Sequence, residues 1–153
     1  MRLETLISAA DEDWLAMRLD LWPDCPREDH LEEMAQFLTE PARYAQFVVR
    51  TPDGRGVGFA EASIRTDYVN GTESSPVGYL EGLFVREAFR GQGAARLLVS
   101  AVSEWARSRG CAELASDTQP DNLASQATHV RLGFIETERA VFFRKPIGRT
   151  DID

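Results

Sequence analysis

The sequence predicts one mixed α/β domain, and three observations carry that prediction. Its 153 residues are the size of a single domain, with 43 % apolar and 27 % charged side chains, an ordinary globular balance. The hydropathy pattern switches between helical and strand periods without repeats, low-complexity tracts or long linkers. The order of these segments, βααβββαβαββ, suits helices packed on a mixed sheet rather than a regular parallel repeat. The domain is drawn at 1–147, with 148–153 as a C-terminal tail.

Each element has a local reason. Leu3–Ser8 is a short strand. Asp11–Trp22 reads as a helix: Asp11, Glu12 and Asp13 favour its N-terminus and Trp14, Met17 and Leu21 recur at helical spacing, until Pro23 ends it. A second helix follows Pro26, with Leu31, Met34, Ala35 and Leu38 on one face and Pro41 beyond its end. The period then shortens to that of strands at Tyr44–Arg50 and Gly56–Arg65, joined by the turn Thr51-Pro52-Asp53-Gly54. A polar loop, Thr66–Pro76, leads to a strand at Val77–Val85. Ala94–Arg109 is the longest amphipathic helix, with Leu97, Leu98, Ala101, Val102 and Trp105 inward and Gly110 as its stop. A strand at Glu113–Asp117, a helix at Leu123–Leu132 ended by Gly133, and closing strands at Phe134–Arg139 and Val141–Lys145 complete the chain.

Composition narrows the function. With 25 acidic against 17 basic side chains the net charge is -8, which disfavours nucleic acid and suits a cationic partner, although it also serves solubility. No apolar run approaches the ~20 residues of a membrane span. The N-terminal MRLETLISAADEDW turns acidic at once, unlike a signal peptide. Two cysteines, Cys25 and Cys111, are no disulfide framework, and a reducing cytoplasm is expected. No His/Cys cluster has metal spacing, so no metal is expected.

The most specific feature is Tyr79-Leu80-Glu81-Gly82-Leu83-Phe84-Val85, followed by Arg90-Gly91-Gln92-Gly93-Ala94-Ala95 and the long helix. Glycines just before a helix let backbone N–H groups converge where the helix dipole favours negative charge, which makes a pyrophosphate cradle; a plain strand–turn–helix corner would look similar. A dinucleotide fingerprint fails at Arg96, where a third Gly or Ala is needed, and a Walker loop lacks its Gly-Lys-Ser/Thr.

Arg90-x-x-Gly93-x-Ala95 resembles the Gln/Arg-x-x-Gly-x-Gly/Ala signature of the GNAT acyl-CoA-dependent N-acetyltransferases. Glu113–Asp117, Asn122 and His129-Val130-Arg131-Leu132-Gly133-Phe134 fall where that family has its fifth strand, a CoA-contacting Asn and an aromatic-x-x-Leu-Gly-Phe ending. A narrower similarity, to the aminoglycoside 6′-N-acetyltransferases, runs through Leu21-Trp22-Pro23, Ala62–Gly71, Ser75-Pro76, Leu80-Glu81-Gly82, Ala115-Ser116-Asp117-Thr118, Leu132-Gly133-Phe134 and Glu136-Thr137-Glu138-Arg139. The resemblance implies the GNAT fold: a mixed central sheet, flanked by helices, that splays between strands 4 and 5 to admit acetyl-CoA. Leu83, Phe84 and Val85 would pair with the pantetheine arm through their backbone. The amides of Arg90, Gly91, Gln92, Gly93, Ala94 and Ala95 would hold the pyrophosphate, and Asn122 would touch CoA. The implied reaction is acetyl transfer to the 6′-amine of an aminoglycoside, conferring resistance, by direct attack in a ternary complex. A homodimer is implied as well.

Individual residues are weighed against plainer roles. Asp117, at a strand end ahead of Pro120, suits a turn or cap; the resemblance makes it a contact of the reacting amine, as proton acceptor or anchor. Glu81 interrupts an apolar strand, and a buried carboxylate there needs a partner. With Glu138 and Asp117 it would give three acids to a cavity that receives a polycation. Trp22 reads as packing or, by resemblance, a wall of the sugar site, and Tyr68 in the polar loop joins it there. His129 stands where most of the family has a proton-donating Tyr; a packed helical His competes with donation to the leaving thiolate. Cys111 reads as a packed thiol rather than an acetyl carrier, and His30 receives no role. Two alternatives stay open: a GNAT enzyme for another cationic amine, such as a polyamine or protein N-terminus, and a CoA-binding sensor without turnover.

Overall fold

The computed structural model describes residues 1–148, so the expected tail lies, apart from Gly148, outside the described residues. Five strands form one sheet in chain order: β1 (Arg2–Thr5), β2 (Tyr44–Arg50), β3 (Gly56–Arg65), β4 (Val77–Val85) and β5 (Leu114–Ser116). The first four are antiparallel neighbours, and β5 runs parallel to β4. Helices α1 (Glu12–Leu21) and α2 (Arg27–Thr39) pack on one face with Val48 and Phe59. Helix α3 (Ala94–Ser108) covers the other with Val49, Val57, Ala60 and Leu80, and α4 (Leu123–Arg131) follows β5.

Local signals explain most boundaries. Asp11 caps α1 by accepting from the Trp14 amide at 3.0 Å. Arg50 ties β2 to Glu4 of β1 and to Asp11, and it holds the Glu4 carboxyl below the usual range. Gly78 lets α3 lie close on β4, since a Cβ there would stand 2.7 Å from Ala106 Cβ. The buried stripe of α3 is Ala94, Leu98, Val102 and Ala106, an i, i+4 row joined by Val99. Leu97, expected inward, is 42 % exposed because it lies about 100° round the helix from that row. On α2, Ala35 likewise faces out while Phe37 packs with the core cluster.

The β4–β5 ladder has only the rungs Gly78↔Leu114, Tyr79↔Ala115 and Leu80↔Ser116. Beyond Leu80, β4 continues through Val85 with no β5 partner, so the sheet opens into a V. This is the splay expected between strands 4 and 5.

The closing strands expected at Phe134–Arg139 and Val141–Lys145 are not formed. An alternating pattern specifies which way side chains point, but a strand also needs an edge to pair with and a surface to cover. This arm covers no surface and lies along no edge, although β5 is a terminal strand of the sheet: Ile135, Val141, Phe142 and Phe143 stand exposed, the last two at 89 % and 92 %. The first strand is also shorter than predicted, because the chain leaves β2 after the Leu6 amide bonds Gln46 O at 3.0 Å.

Candidate active site

A cavity of about 830 Å³ opens between the α1–α2 connection and the sheet, lined by Trp22, Glu33, Glu61 and Glu81 among others. Trp22 reaches it because Gly82 leaves room: a Cβ on Gly82 would sit 2.5 Å from Trp22 Cη2 and 2.8 Å from Cζ2. The ring meets Phe59 edge-on at 6.2 Å and stacks with His30 at 6.4 Å. The Arg18 guanidinium lies 4.9 Å from its centroid. Gly82→Ala is therefore expected to push Trp22 off the strand and raise KM for the substrate that fills this cavity, with kcat less affected. Steady-state kinetics check this; an unchanged KM in the folded variant would remove Trp22 from the substrate wall.

Sequence reading missed the group that holds this wall. Arg18 is buried and ion-paired with Glu61 and Glu33, and Trp14 Nε1 donates to Glu61 at 2.8 Å. Arg18 Nε donates to His30 Nδ1 at 3.0 Å, so His30 Nε2 carries the proton that reaches Trp22 O at 3.2 Å. His30, given no role above, is fully buried. Burial pushes the Glu61 carboxyl up, and Arg18 and Trp14 pull it back. The only sequence signal was Glu61 itself, an acid inside an apolar strand.

A second network stands where the V begins. Arg65 pairs with both oxygens of Glu81 at 2.9 Å, and Ser63 Oγ donates to Glu81 at 2.6 Å. Glu81 is exposed rather than buried, and it is paired all the same. The Arg65 guanidinium lies 3.5 Å from the Tyr79 ring centroid, and the Tyr79 hydroxyl donates to Asp117 Oδ2. Burial first, and then the Asp117 carboxylate, hold the Tyr79 phenol far above its ordinary value, so it remains a donor. Asp117 follows the last residue of β5 and is exposed, with its other oxygen clear of protein donors among the described residues. His129, on α4, faces Ser116 Oγ through Nε2 at 2.8 Å and the Ser125 carbonyl through Nδ1 at 2.7 Å.

The cradle is open backbone. Gly91 (φ 76°) and Gly93 (φ 91°) both adopt the left-handed region, nothing lies within 4 Å of a Cβ on either, and Gly93 begins α3 without a side-chain cap. These are the terms for an anion: unbonded helix N-terminal amides beside free space. Arg90 differs from its expected part, because its amide already donates to Glu87 O at 3.3 Å and its Nε to Val85 O at 2.9 Å. Asn122 caps α4, accepting from the Ser125 amide at 3.0 Å, so its Oδ1 is engaged and its NH₂ is the group left for a ligand.

Not every expected residue joins the site. Tyr68 is 78 % exposed on its loop, and Glu138 lies on the exposed C-terminal arm, outside the cavity lining. Loop and arm meet at Gly71 and Thr137. Cys25 and Cys111 are free thiols, the latter buried as expected. Among the described residues, no group of three or more His, Cys, Asp or Glu could hold a metal ion.

The model of the acetyltransferase (GNAT) family matches residues 7–134. The chain belongs to the GNAT family. Among GNAT relatives, it is 53 % identical to an aminoglycoside N(6′)-acetyltransferase type 1 of Serratia marcescens over 88 % of this chain and 92 % of that protein. With a type 1 enzyme of Acinetobacter baumannii it shares 50 % identity over 89 % and 92 %. Its fold superposes on the crystal structure of the 6′-N-acetyltransferase AAC(6′)-Ih of Acinetobacter baumannii with a TM-score of 0.90, at 45 % identity over 96 % of this chain and 99 % of that one. It also matches AAC(6′)-Iy in complex with the bisubstrate analogue CoA-S-monomethyl-acetylneamine, with a TM-score of 0.89 and 44 % identity over 95 % and 98 %. The splayed β4–β5 pair is thus the GNAT architecture.

Proposed function

We propose that the protein transfers the acetyl group of acetyl-CoA to the 6′-amino group of aminoglycosides, by direct attack in a ternary complex. The observation that carries this reading is that one strand, β4, serves two unlike sites. An anion cradle at the start of α3 follows the unpaired Leu83–Val85 edge of β4, an acidic cavity is lined by Glu33, Glu61 and Glu81, and Asp117, just after β5, is tied by Tyr79 to the strand that carries Glu81. The relatives named aminoglycoside N(6′)-acetyltransferases supply the substrate class.

Each residue then has a task. The amides of Gly91, Gln92, Gly93, Ala94 and Ala95 hold the pyrophosphate, with Asn122 as a further contact. Leu83, Phe84 and Val85 present the backbone edge along which the pantetheine arm lies, and a strand amide polarises the thioester carbonyl. Glu81 and Asp117 draw the cationic amine into the cavity against Trp22. Because Tyr79 already occupies one Asp117 oxygen, the other receives the ammonium and accepts or anchors its proton. Holding amine and thioester together supplies the larger share of the acceleration. Tyr68 and Glu138, on the loop and arm that touch at Gly71 and Thr137, lie outside the cavity lining and receive no task in this reading. His129 is the source of the proton that reaches the leaving thiolate. The proposed compartment is the cytoplasm, where acetyl-CoA is held; among the described residues, no helix is long and apolar enough to cross a membrane.

The deciding experiment follows release of CoA thiol with kanamycin-class aminoglycosides, polyamines and N-terminal peptides as acceptors. Turnover with the aminoglycosides alone is expected. Preference for another amine would move the substrate assignment, and CoA binding with no turnover on any amine would leave a sensor.

The homodimer rests on the arm. A chain that leaves Ile135, Val141, Phe142, Phe143 and Ile147 exposed together carries an apolar surface that a second copy would cover. Sedimentation is expected to give twice the chain mass, and Phe142→Asp with Phe143→Asp to shift it toward the monomer. A monomeric wild type would end the proposal.

A further inference from the structure

We propose that Ser116 is the group that hands the proton to the departing CoA thiolate, and that His129 acts through it. This deepens the proposed acetyl transfer and rests on that reading. The tautomer of His129 follows from its partners. Its Nδ1 lies 2.7 Å from the Ser125 carbonyl, which only accepts, so Nδ1 carries a proton. In the neutral ring Nε2 is therefore an acceptor, and the partner 2.8 Å away is the Ser116 hydroxyl. Phe134 packs edge-on against the ring at 5.1 Å, and its amide bonds His129 O at 3.0 Å, which holds the imidazole in this pose. With both ring nitrogens engaged, the histidine has no N–H aimed at a thiolate. What it offers is the serine oxygen.

Ser116 stands where the sulfur arrives. It forms the last rung of the parallel ladder, opposite Leu80, where the V closes. An arm anchored at the cradle and lying along β4 from Val85 to Leu80 covers five strand steps, about 17 Å, a distance an extended pantetheine spans. Its reacting end is then level with Ser116 and the adjoining Asp117. One residue of β5 faces the leaving group and the next faces the amine.

The proton count closes. The amine nitrogen forms a bond to the thioester carbon, the C–S bond breaks, and sulfur keeps the electron pair. When the ring has taken a second proton from solvent, Nε2–H donates to Ser116 Oγ and frees the serine hydrogen. Ser116 Oγ then gives that hydrogen to sulfur while receiving the one from Nε2, leaving CoA thiol and neutral imidazole. The ammonium loses two protons in becoming an amide; their number equals the one now on sulfur plus one released to solvent, and His129 is recharged from solvent.

The test compares Ser116→Ala, His129→Gln and the double variant on whichever amine the wild type turns over. Expected are kcat losses of about tenfold to a hundredfold in each single variant, at or below the ~10²-fold lower bound of general-acid effects because the thiolate is a fair leaving group. The double variant should be no slower than the slower single one, Ser116→Thr should recover most of the rate, and acetyl-CoA KM should change little. A ¹⁵N NMR spectrum of the wild type should show His129 protonated at Nδ1 with Nε2 hydrogen-bonded, and the Nε2 signal should move in Ser116→Ala; this arm needs no turnover. Three results overturn the proposal: a Ser116→Ala kcat within twofold of wild type, losses that multiply in the double variant, or an acetyl group found on Ser116 by mass spectrometry, which would make the hydroxyl a nucleophile. A wild type that acetylates a different amine fails the substrate reading alone, and the same variants then judge Ser116 on that amine.

Discussion

Replacing Asp117 by Asn is expected to lower kcat by about 10²–10⁴-fold, the usual range for a group that moves a proton in the transition state. The substitution preserves shape and can still accept from the Tyr79 hydroxyl through its amide oxygen, so the fold and the seat of the side chain should survive. What it removes is the anionic oxygen that receives the ammonium. An aminoglycoside amine is mostly protonated near neutral pH, and without a proton acceptor only its minor free-base fraction reacts. Acetyl-CoA affinity should stay close to wild type, because the cradle lies at the other end of β4. Tyr79→Phe should reproduce a smaller part of the kcat loss, and that part should vanish in the Asp117→Asn background. A folded Asp117→Asn enzyme with near wild-type kcat between pH 6 and 9 would reduce Asp117 to an anchor. Titration calorimetry with acetyl-CoA separates a chemical defect from a binding one.

Arg18→Ala is expected to be the most damaging single change to stability, at about 3–5 kcal/mol. The guanidinium is the charge that compensates Glu61, which is only 3 % exposed. Without it, Trp14 Nε1 is the donor left to that carboxylate among the described residues, and a buried anion with one neutral donor is costly. The pH dependence has a definite sign. Burial raises the Glu61 carboxyl in the folded state, and losing Arg18 removes the opposing attraction. Such a group is neutral in the folded chain at pH values where the unfolded chain has already ionised it. The variant should therefore regain stability as pH falls through the folded pKa toward the usual carboxylate value. Urea unfolding at pH 8 and at pH 5.5 measures both quantities. A loss below about 1 kcal/mol, or one unchanged between the two conditions, would mean that the pair contributes little. Arg18→Met combined with Glu61→Leu removes both charges and should be far milder than Arg18→Ala alone.

The two networks also hold Trp22 and Asp117, the proposed substrate wall and proton acceptor, in place before any ligand arrives. Trp22 is fixed from below by Gly82 and from the side by Arg18 and His30. Asp117 is fixed by Tyr79, itself covered by Arg65, which also holds Glu81. An ammonium entering the cavity meets a carboxylate that is already paired but not saturated, since a carboxylate accepts about four hydrogen bonds. Charge attraction is thus moderated by Arg65 rather than delivered by bare acids.

Local chemistry determined much of this protein. Asp11 before Trp14, proline after Trp22, the turn at Thr51–Gly54 and the glycines around Gln92 are each readable without a partner, because caps, stops and left-handed turns depend on a few adjacent residues. The GNAT signature at Arg90–Ala95 is of this kind, and the four longer strands and four helices stand where periodicity placed them. Only the tertiary structure decided the pairings. That His30 is buried against Arg18 12 positions away, that Tyr79 meets Asp117 38 positions away, and that Ser116 rather than solvent faces His129 could not be read from spacing. The C-terminal arm is the converse case. Its alternating residues announced strands, yet periodicity records only which side chains share a face. A ladder also requires that the segment be brought alongside an edge and cover a surface there, and that is settled by the assembled fold.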